Sequence, residues 1–378
     1  MSVQARERYK SLIDQLPFQY LADTPTVRYY TDWSVFESRM DKGYAYNEHP
    51  LPPQLARHNP NILLGTALRL SNLPSQVEVI DISREESPVE PMSLVGVSTK
   101  MHAYHAYMWT TGAYIRVNPG EEASLVVAST GGDGYLGHHI ILEIGRGARL
   151  DLKLLDYAGD SDALKTLVVE VIAREDSRLD ATYLTLHHPS HAVYKILHAR
   201  LYDGAQVEAR GLTAGGAMTR YEETYILEGR RSRLDARASN VARSNTKTDF
   251  LLNAIHKGPE SEGFISARGV VLTNGYLAQR GLAKIDAEAQ WASSEVESHV
   301  TILGEPARGY AIPMLEIHSG DVVKANHEAS VTTIQEDHVF YMRSRGLSRE
   351  ELEKLMITGI IEYSGAAGKL GLEPTDIF

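Results

Sequence analysis

The sequence predicts an all-β core that is a parallel β-helix, or β-solenoid, with an α+β region before it and a helical region after it. An apolar residue followed by an acidic one recurs at intervals of 29, 28 and 27 residues. These pairs are Leu150-Asp151, Leu179-Asp180, Val207-Glu208 and Leu234-Asp235. A second alternating run precedes each pair, so each repeat has two short strands and no helical pattern that would indicate βαβ units. A period of roughly 20–50 residues with two strands per repeat is typical of stacked coils that bury one continuous core.

Residues 1–105 are expected to form the N-terminal helical and α+β region. Two apolar stripes there have helical spacing, the first being Tyr9, Leu12, Ile13 and Leu16 and the second Trp33, Phe36 and Met40. Prolines at 50, 52 and 53 break the chain after these stripes. The alternation of apolar and acidic residues from Val77 to Ile82 then predicts a strand.

Residues 106–335 are expected to form the solenoid, in which Leu125 and Ile285 extend the repeat on either side.

Residues 336–378 are expected to be helical after an aromatic strand at Phe340 and Tyr341. Ser348 and Glu351 have the spacing of a capping box at the start of a helix. The apolar stripe of that helix consists of Leu352, Leu355, Met356 and Ile360. We expect this helix to cover the open end of the solenoid, because terminal coils need a cover.

Composition and charge exclude several classes of function. The 378 residues carry a net charge of −11, which disfavours nucleic acid as a partner because phosphate binding requires basic clusters. No apolar run approaches the ~18–20 residues that cross a bilayer, so no membrane partner is expected. The first residues lack the apolar segment of a secretory signal, and a cytoplasmic location is therefore expected.

The chain contains no cysteine. Disulfides, a cysteine nucleophile and any cysteine-ligated zinc or iron–sulfur cluster within this chain are therefore excluded. The glycine runs around residues 131–134 and 211–216 lack the spacing of a phosphate-binding loop. ATP hydrolysis, if the function requires it, is expected to occur in a partner.

Fifteen histidines raise the possibility of a metal site. The densest group comprises His138, His139, His187, His188, His191 and His198. Adjacent histidines on a strand face opposite sides, and the sequence around 187–191 has the composition of a turn. We therefore interpret these histidines as surface or turn residues. The HExxH spacing of a metalloprotease is also absent at His327-Glu328.

The segment from 313 to 359 has the highest density of recognisable motifs. It contains Pro313, Leu315, Glu316 and Ile317, then the run from His327 to Ser330, then Phe340, Tyr341, Ser344, Arg345 and Gly346. From the residues alone, His327 and Glu328 form either an ordinary polar loop or a site in which the histidine ligates iron or shuttles protons. As neighbours on an extended chain, the two side chains should point to opposite faces.

These motifs resemble the C-terminal signature of the SufB/SufD family of iron–sulfur cluster assembly proteins, and the resemblance covers roughly residues 100–363. It implies a right-handed parallel β-helix flanked by helical termini. It also implies that His327 is a cluster-assembly residue at an interface between two β-helix chains, with Glu328 as the SufB-like variant beside it. The position of the scaffold cysteine of SufB-type members falls on Ser298, and a hydroxyl cannot replace a thiolate toward sulfide or iron.

The resemblance further implies that the C-terminal helical region docks the ABC-type ATPase SufC. The residues expected in this docking are Phe340, Tyr341, Arg345, Gly346, Leu352, Leu355 and Met356. The expected role is a non-catalytic subunit that pairs with a SufB-type chain, holds no cofactor stably by itself and contributes His327 to a transient iron–sulfur cluster. Association of a flavin with the complex stays open.

Two alternatives remain at this stage. A divergent SufB-like scaffold would pair with a second copy of itself. A β-helix carbohydrate-active enzyme would require clustered carboxylates along a groove. A hexapeptide acyltransferase would show a six-residue period, which the longer repeat contradicts.

Overall fold

The computed structural model describes residues 3–24, 29–334 and 336–377, and its centre is a β-solenoid of about eight turns. One wall, sheet A, has ten strands, in the order β19 (Val322–Thr333), β17 (Ala292–Ile302), β15 (Glu262–Val271), β13 (Arg233–Ala242), β11 (Gln206–Ala214), β9 (Arg178–His187), β7 (Arg149–Ala158), β5 (Glu122–Thr130), β1 (Ile62–Leu64) and β2 (Leu68–Leu70). The other wall, sheet B, has nine strands, in the order β18 (Arg308–Ile317), β16 (Tyr276–Ile285), β14 (Lys247–His256), β12 (Met218–Leu227), β10 (Ala192–Leu201), β8 (Leu164–Ala173), β6 (Leu136–Ile144), β4 (Thr111–Val117) and β3 (Val77–Asp81). The strands of each wall pair in parallel, except that β1–β2 and β3–β4 are antiparallel.

The repeat in the sequence corresponds to the register of sheet A. Leu150 pairs with Leu179, and Val207 pairs with both Leu179 and Leu234. All four side chains are buried and stack in the interior. The predicted extension of the series is wrong in detail, because Ala123 is the residue that pairs with Leu150 and Ile285 lies in sheet B. The turns at the two ends of the solenoid differ in length from those in the middle, so the period of the central coils does not extend to the end coils.

The N-terminal region covers the outer face of sheet B. Its helices on this side are α1 (Val3–Gln15), α2 (Trp33–Met40) and α4 (Lys100–Met108), whereas α3 (Pro53–Ala56) packs through Leu55 against the outer face of sheet A. Phe36 and Tyr104 pack with Tyr194 and Val168 of the sheet, so the aromatic residues of this region cover apolar residues on the outside of the solenoid. The two predicted helical stripes and the strand that begins at Val77 are confirmed.

The C-terminal region covers the outer face of sheet A. It consists of α5 (Glu336–Ser344), α6 (Arg349–Tyr363), α7 (Ala366–Leu370) and a 3-10 turn at Pro374–Asp376. Ile357 and Ile361 of α6 pack over an apolar column that includes Leu184, Leu212 and Val241. The expectation that α6 covers the open end is therefore wrong. Because this column would otherwise be exposed, the helix lies along the side of the solenoid.

The local prediction for this region is confirmed in one part and wrong in another. The capping box is present, since the Ser348 Oγ accepts from the Glu351 amide at 3.2 Å and the Glu351 Oε2 accepts from the Ser348 amide at 2.7 Å. Phe340 and Tyr341, expected on a strand, lie on α5. In the described residues, no helix has the length and apolar character needed to cross a membrane.

The last coil of the solenoid, formed by β18 and β19, is uncovered. Both are edge strands, and no other described strand pairs with their outer edges. Residues at inward-facing positions of this coil are consequently accessible, among them Ile317 and Val331, which are 45% and 47% exposed. This open end is where the sequence placed its main candidate residues.

Candidate functional site

His327 lies in the middle of β19 and not in a loop, so the loop interpretation is wrong. It pairs with Val296 of β17, whose side chain is buried in the solenoid interior. Since paired residues of parallel strands point to the same side of a sheet, His327 occupies an inward-facing position of the last coil. It is nevertheless exposed, because no further coil follows. An imidazole at this rim can interact with whatever covers the open end.

Glu328 occupies the opposite face of the same strand, as the alternation of strand side chains predicts. It pairs with Glu297, and its carboxylate lies 3.9 Å from the His299 Nε2. The other nitrogen of that ring, Nδ1, is 2.8 Å from the Ser330 Oγ. His327 and Glu328 therefore belong to two surfaces, the inner rim and the outer wall, and cannot act together on one atom.

Ser298 lies one coil below the rim, on the same inner face as His327. It pairs with Ala329, and the spacing between strands and along a strand puts the Cα atoms of Ser298 and His327 about 8 Å apart. Its side chain is buried, with the Oγ accepting from Gln279 Nε2 at 2.9 Å and donating to the Gln279 carbonyl at 3.3 Å. The structure thus brings Ser298 and His327 to adjacent coils on one face, although the hydroxyl itself is fully engaged.

A column of buried polar residues runs through the solenoid interior and ends at Ser298. The Gln279 Oε1 accepts from Asn240 Nδ2 at 3.0 Å, which links Ser298 to the preceding coils. Further along the stack, the interior contains charged groups that the sequence analysis missed. These are Asp156, Lys165, His187, Lys195 and Glu223, all almost completely buried. A signal was available for Asp156 and Lys195, because each interrupts an otherwise apolar inward series at alternate positions of its strand.

Asp156 is the electrostatic centre of this column. Its Oδ1 is 2.5 Å from Lys165 Nζ, while its Oδ2 is 3.3 Å from His187 Nε2 and 3.8 Å from Lys195 Nζ. Burial alone would raise the pKa of Asp156, but Lys165, His187 and Lys195 outweigh it and hold that pKa well below its usual value. Burial likewise lowers the pKa of Lys165, and Asp156 opposes part of this effect. Asp156 therefore joins Lys165, His187 and Lys195 in one buried polar cluster.

The column also contains buried groups whose hydrogen-bonding capacity is incompletely used. Within the described residues, the hydroxyls of Tyr183 and Tyr221 and the Nδ1 atom of His187 have no hydrogen-bond partner. Burial raises the pKa of Glu223, and the hydrogen bond that the Tyr225 hydroxyl donates to it at 2.9 Å only partly opposes this. Buried polar groups of this kind are normally satisfied by internal water.

The interpretation of the clustered histidines as surface or turn residues is wrong for most of them. His138, His139, His187 and His191 are fully buried, whereas His188 is accessible. Burial, with Lys165 nearby, lowers the pKa of His138 to about 3. His139 lies outside the solenoid interior, where its Nε2 donates to Glu170 at 2.9 Å. Sequence alternation showed that adjacent histidines face opposite sides but not that both sides of sheet B are covered.

The predicted docking residues form an exposed apolar surface beside the open end. Phe340, Tyr341 and Leu355 are 77%, 55% and 57% exposed. The helical stripe is confirmed only in part, because the buried face of α6 is Leu352, Ile357 and Ile361 while Leu355 faces solvent.

A cavity of about 430 Å³ separates this surface from the end of β19. It is lined by Thr332, Thr333, Ile334, Tyr341, Met342, Leu352 and Met356. Arg345 donates to the Tyr341 hydroxyl at 3.1 Å, and Gly346 has φ +91°, a conformation that favours glycine. The loop between α5 and α6 is therefore held in a defined turn next to the cavity.

Acidic residues also line a groove on the outer face of sheet A, but each of them has a basic partner. Glu208 lies 3.1 Å from Arg178, Asp235 2.8 Å from Arg210, and Glu262 3.2 Å from Arg233. Paired carboxylates of this kind do not supply the free acid and base of glycoside hydrolysis. Nor do the described residues contain any group of three or more histidine or carboxylate side chains arranged to hold a metal ion.

Comparison with known proteins identifies a family for most of this architecture. The profile described as "SUF system FeS cluster assembly, SufBD core domain" matches residues 126–360, which include most of the solenoid, the open end and nearly all of α6. The iron–sulfur cluster assembly protein SufD of Bacillus subtilis (strain 168) is 30% identical over 272 residues, covering 69% of this chain. SufBD family proteins of Staphylococcus aureus (strain USA300) and Staphylococcus saprophyticus are each 26% identical over 204 residues, covering 53% of this chain.

The matched segments span only part of these relatives. They cover 61% of the Bacillus subtilis protein and 43% of the two staphylococcal proteins. The family model matches residues 126–360, the part of this chain that contains His327, Ser298 and most of the exposed apolar surface.

Proposed function

The chain belongs to the SufBD family of SUF-system iron–sulfur cluster assembly proteins, and we propose that it acts there as a SufD-like, non-catalytic subunit. In this proposal, the open end of the solenoid pairs with a SufB-type chain. A cluster then forms transiently at the junction, with His327 contributing from this side.

The observation that carries the proposal is the uncovered last coil. Two parallel edge strands present unpaired backbone groups and accessible inward-facing apolar residues, which is the surface that another solenoid end would cover. His327 is at an inward-facing position of this same coil. A partner that continued the stack would therefore enclose the imidazole at the junction.

The division of labour between the two subunits follows from the donor atoms. The chain has no cysteine, and the position that resembles the scaffold cysteine is a buried serine whose hydroxyl is already engaged. Thiolates for a cluster must then come from the partner. This favours a SufD-like role over that of the sulfur-bearing scaffold, and it makes a cluster stably held by this chain alone unexpected.

A SufC-like ABC-type ATPase is the second partner that we propose. Phe340, Tyr341 and Leu355 expose large apolar side chains on the C-terminal helices, next to a cavity that Met356 helps to line. Exposed apolar clusters of this kind commonly mark protein–protein contacts. The alternative of a carbohydrate-active enzyme has no support, because the acidic residues of the outer groove are neutralised by paired bases.

The proposal is tested by placing a charge on the open end. Val331→Asp introduces a carboxylate at an inward-facing position of the last coil, where it would lose its hydration against a second solenoid. Leu70→Asp is a matched control, since Leu70 has the same exposed fraction of 47% and lies on β2, far along sheet A. We expect Val331→Asp, but not Leu70→Asp, to abolish co-purification with a co-expressed SufB-type chain.

Two outcomes would contradict this assignment. If Val331→Asp leaves the pairing intact while the chain remains folded, the open end is not the contact surface. If light scattering shows that the chain alone is a stable dimer that Val331→Asp dissociates, and no SufB-type chain displaces the second copy, the chain is instead a homodimeric SufB-like scaffold.

A further inference from the structure

A cleft of about 800 Å³ lies between the N-terminal region and the outer face of sheet B, where it reaches β18 of the last coil but none of the C-terminal helices. Its N-terminal wall includes Phe18 and Trp33, and its solenoid wall includes Tyr276, Arg308 and Tyr310. A volume of this size is within the range of roughly 300–1,000 Å³ that is typical of small-molecule sites. We propose that this cleft binds a mononucleotide, with the base between the aromatic walls and the phosphate at Arg308 and Lys100.

The walls of the cleft are rich in aromatic rings. Phe18 and Trp33 stack with their ring centroids 5.3 Å apart and their planes at 14°. Across from them, Tyr310 lies 5.3 Å from Tyr30 and 5.7 Å from Tyr276. Aromatic faces bind the π-face of any base, at about 1–3 kcal/mol per stacked base in other proteins. We infer from this arrangement that the ligand contains a planar ring.

The cationic side chains of the cleft are of two kinds. Lys247 is neutralised by Asp32, 2.7 Å away. Arg308 and Lys100, in contrast, have no carboxylate within 4.0 Å among the described residues, and Lys100 lies 5.0 Å above the Phe18 ring. Glu37 is the one other described carboxylate on the lining, so the unpaired charges leave a net positive site in a chain of net charge −11. A guanidinium beside an aromatic wall suits a phosphate.

The backbone of sheet B sets the spacing of these groups. Lys247 pairs with Tyr276, and Tyr276 pairs with Arg308, so the three side chains form a ladder across β14, β16 and β18. The Cα atoms of Lys247 and Arg308 therefore lie about 5 Å from that of Tyr276, one on each side, at the distance between neighbouring strands. A stacked ring on Tyr276 would bring a phosphate substituent within reach of the arginine.

The N-terminal wall is held in place by buried charges and not by loose apolar contact. Arg280 lies 2.9 Å from Asp23 and 2.6 Å from Asp249, which joins the segment before Trp33 to β14 and β16. The Thr31 hydroxyl donates to Asp249 at 2.6 Å, and the Gln19 Oε1 accepts from the indole of Trp33 at 3.3 Å. The cleft is thus a pre-formed site, which lowers the entropy cost of ordering it around a ligand.

The chemistry of the lining excludes other ligand classes. A sugar would need several free carboxylates or amides, but the amide of Gln19 is engaged with Leu21, Asp23 and Trp33. A polynucleotide would need a basic track beyond the cleft, which the acidic chain does not supply. A phosphate-binding glycine loop is not required, because the ring is bound by stacking and the phosphate by side chains.

The proposal is tested by calorimetric titration of the full chain, without partners, with adenosine 5′-monophosphate, adenosine and inorganic phosphate. We expect the nucleotide to bind saturably and more tightly than either fragment. Arg308→Glu should weaken nucleotide binding about tenfold or more, the equivalent of one charge-assisted hydrogen bond. Because the Arg308 side chain has no hydrogen-bond or ion-pair partner among the described residues, thermal unfolding of this variant should match wild type.

The matched control is Arg146→Glu, which makes the same charge change at an exposed turn at the opposite end of the stack and should leave nucleotide binding unchanged. Lys100→Glu should reproduce the loss seen with Arg308→Glu. The proposal is overturned if the nucleotide does not bind, if phosphate binds as tightly as the nucleotide, or if both cleft variants bind like wild type. Since no assembly partner is present, these outcomes are independent of the function proposed for the open end.

Discussion

At the scale of single residues, the exposure of inward-facing side chains in sheet A changes from one coil to the next. Ser298 is buried and has both of its hydrogen bonds made inside the solenoid, whereas His327, on the next strand, is accessible. The difference comes only from position, because the coil that contains His327 is the last one. A substitution at His327 should therefore not disturb the core, whereas a substitution at Ser298, one coil deeper, should.

His327→Ala should therefore affect cluster assembly and not folding. The His327 side chain is exposed and has no hydrogen-bond or ion-pair partner among the described residues. Such a side chain contributes within about 0.5 kcal/mol to stability, so the thermal unfolding midpoint should stay close to wild type. Iron incorporation in the complex reconstituted with SufB-type and SufC-like partners should fall. His318→Ala is the control, since His318 is an exposed histidine of the same coil. Equal iron incorporation in both variants, or a large loss of stability in His327→Ala alone, would return His327 to a structural role.

Asp156→Asn should destabilise the solenoid strongly. It leaves Lys165 and Lys195 buried without an anion, and removal of one partner of a buried ion pair typically costs ~3–5 kcal/mol. The control Asp151→Asn lies on the same strand but is exposed, and should change the free energy of unfolding little. Chemical denaturation at neutral pH measures both.

The difference between wild type and Asp156→Asn should depend on pH in a defined direction. The pKa of Asp156 is depressed in the folded chain, so its stabilising contribution is fully present above the unfolded value of about 3.9 and is lost as pH falls through the lower, folded value. The gap in unfolding free energy should stay constant down to about pH 4 and narrow only below it. A gap that closes between pH 7 and 5 would show that Asp156 is not the ionised partner.

At the scale of elements, the sequence predicted the repeated strands of the solenoid correctly but misplaced the C-terminal helices, which occur once. The register of sheet A could be predicted because Leu150, Leu179, Val207 and Leu234 recur at nearly constant spacing, and stacking makes such residues pair. The helix α6 begins where its capping box places it, because that signal is local. The predicted position of α6 was wrong, since the apolar column on the outer face of sheet A is assembled from six strands and cannot be seen in any one of them. Phe340 and Tyr341 were predicted to lie on a strand because aromatic residues favour strands, but both lie on α5.

The two faces of α6 should respond differently to the same change. Leu355→Asp places a charge on the exposed face and should abolish co-purification with a SufC-like ATPase while leaving thermal unfolding unchanged. Ile361 is fully buried against sheet A, so Ile361→Asp should instead release the helix and lower the unfolding midpoint. Leu70→Asp controls for the loss of an exposed leucine elsewhere. If Leu355→Asp binds the ATPase like wild type, α6 serves only to cover the sheet.

At the scale of the whole molecule, the two walls of the solenoid are covered on their outer faces while the last coil is left open. The N-terminal region covers sheet B and the C-terminal region covers part of sheet A, while the outer edges of β18 and β19 pair with no other described strand. The candidate site is only half predictable from this sequence. His327 could be selected as a candidate by its motif. The buried column around Asp156 and Lys165 arises from the stacking of five strands, so those residues come together only in the folded chain.

The chain alone should not retain an iron–sulfur cluster after anaerobic reconstitution with iron and sulfide. It has no thiolate, and the potential ligands at the open end are divided between the inner rim, with His327, and the outer wall, with His299 and Glu328. Side chains on two faces of one sheet cannot converge on one metal centre, so visible absorption and bound iron should be lost on desalting.

Ser298→Cys tests whether one thiolate is sufficient, and we expect it to fail as well, because the side chain lies under the last coil and a cluster requires several ligands. Addition of a SufB-type partner to wild type should restore retention of the cluster, and His327→Ala should weaken that restoration. Stoichiometric iron and sulfide held by the wild-type chain by itself would contradict both the division of labour between subunits and the assignment of the open end as half of a site.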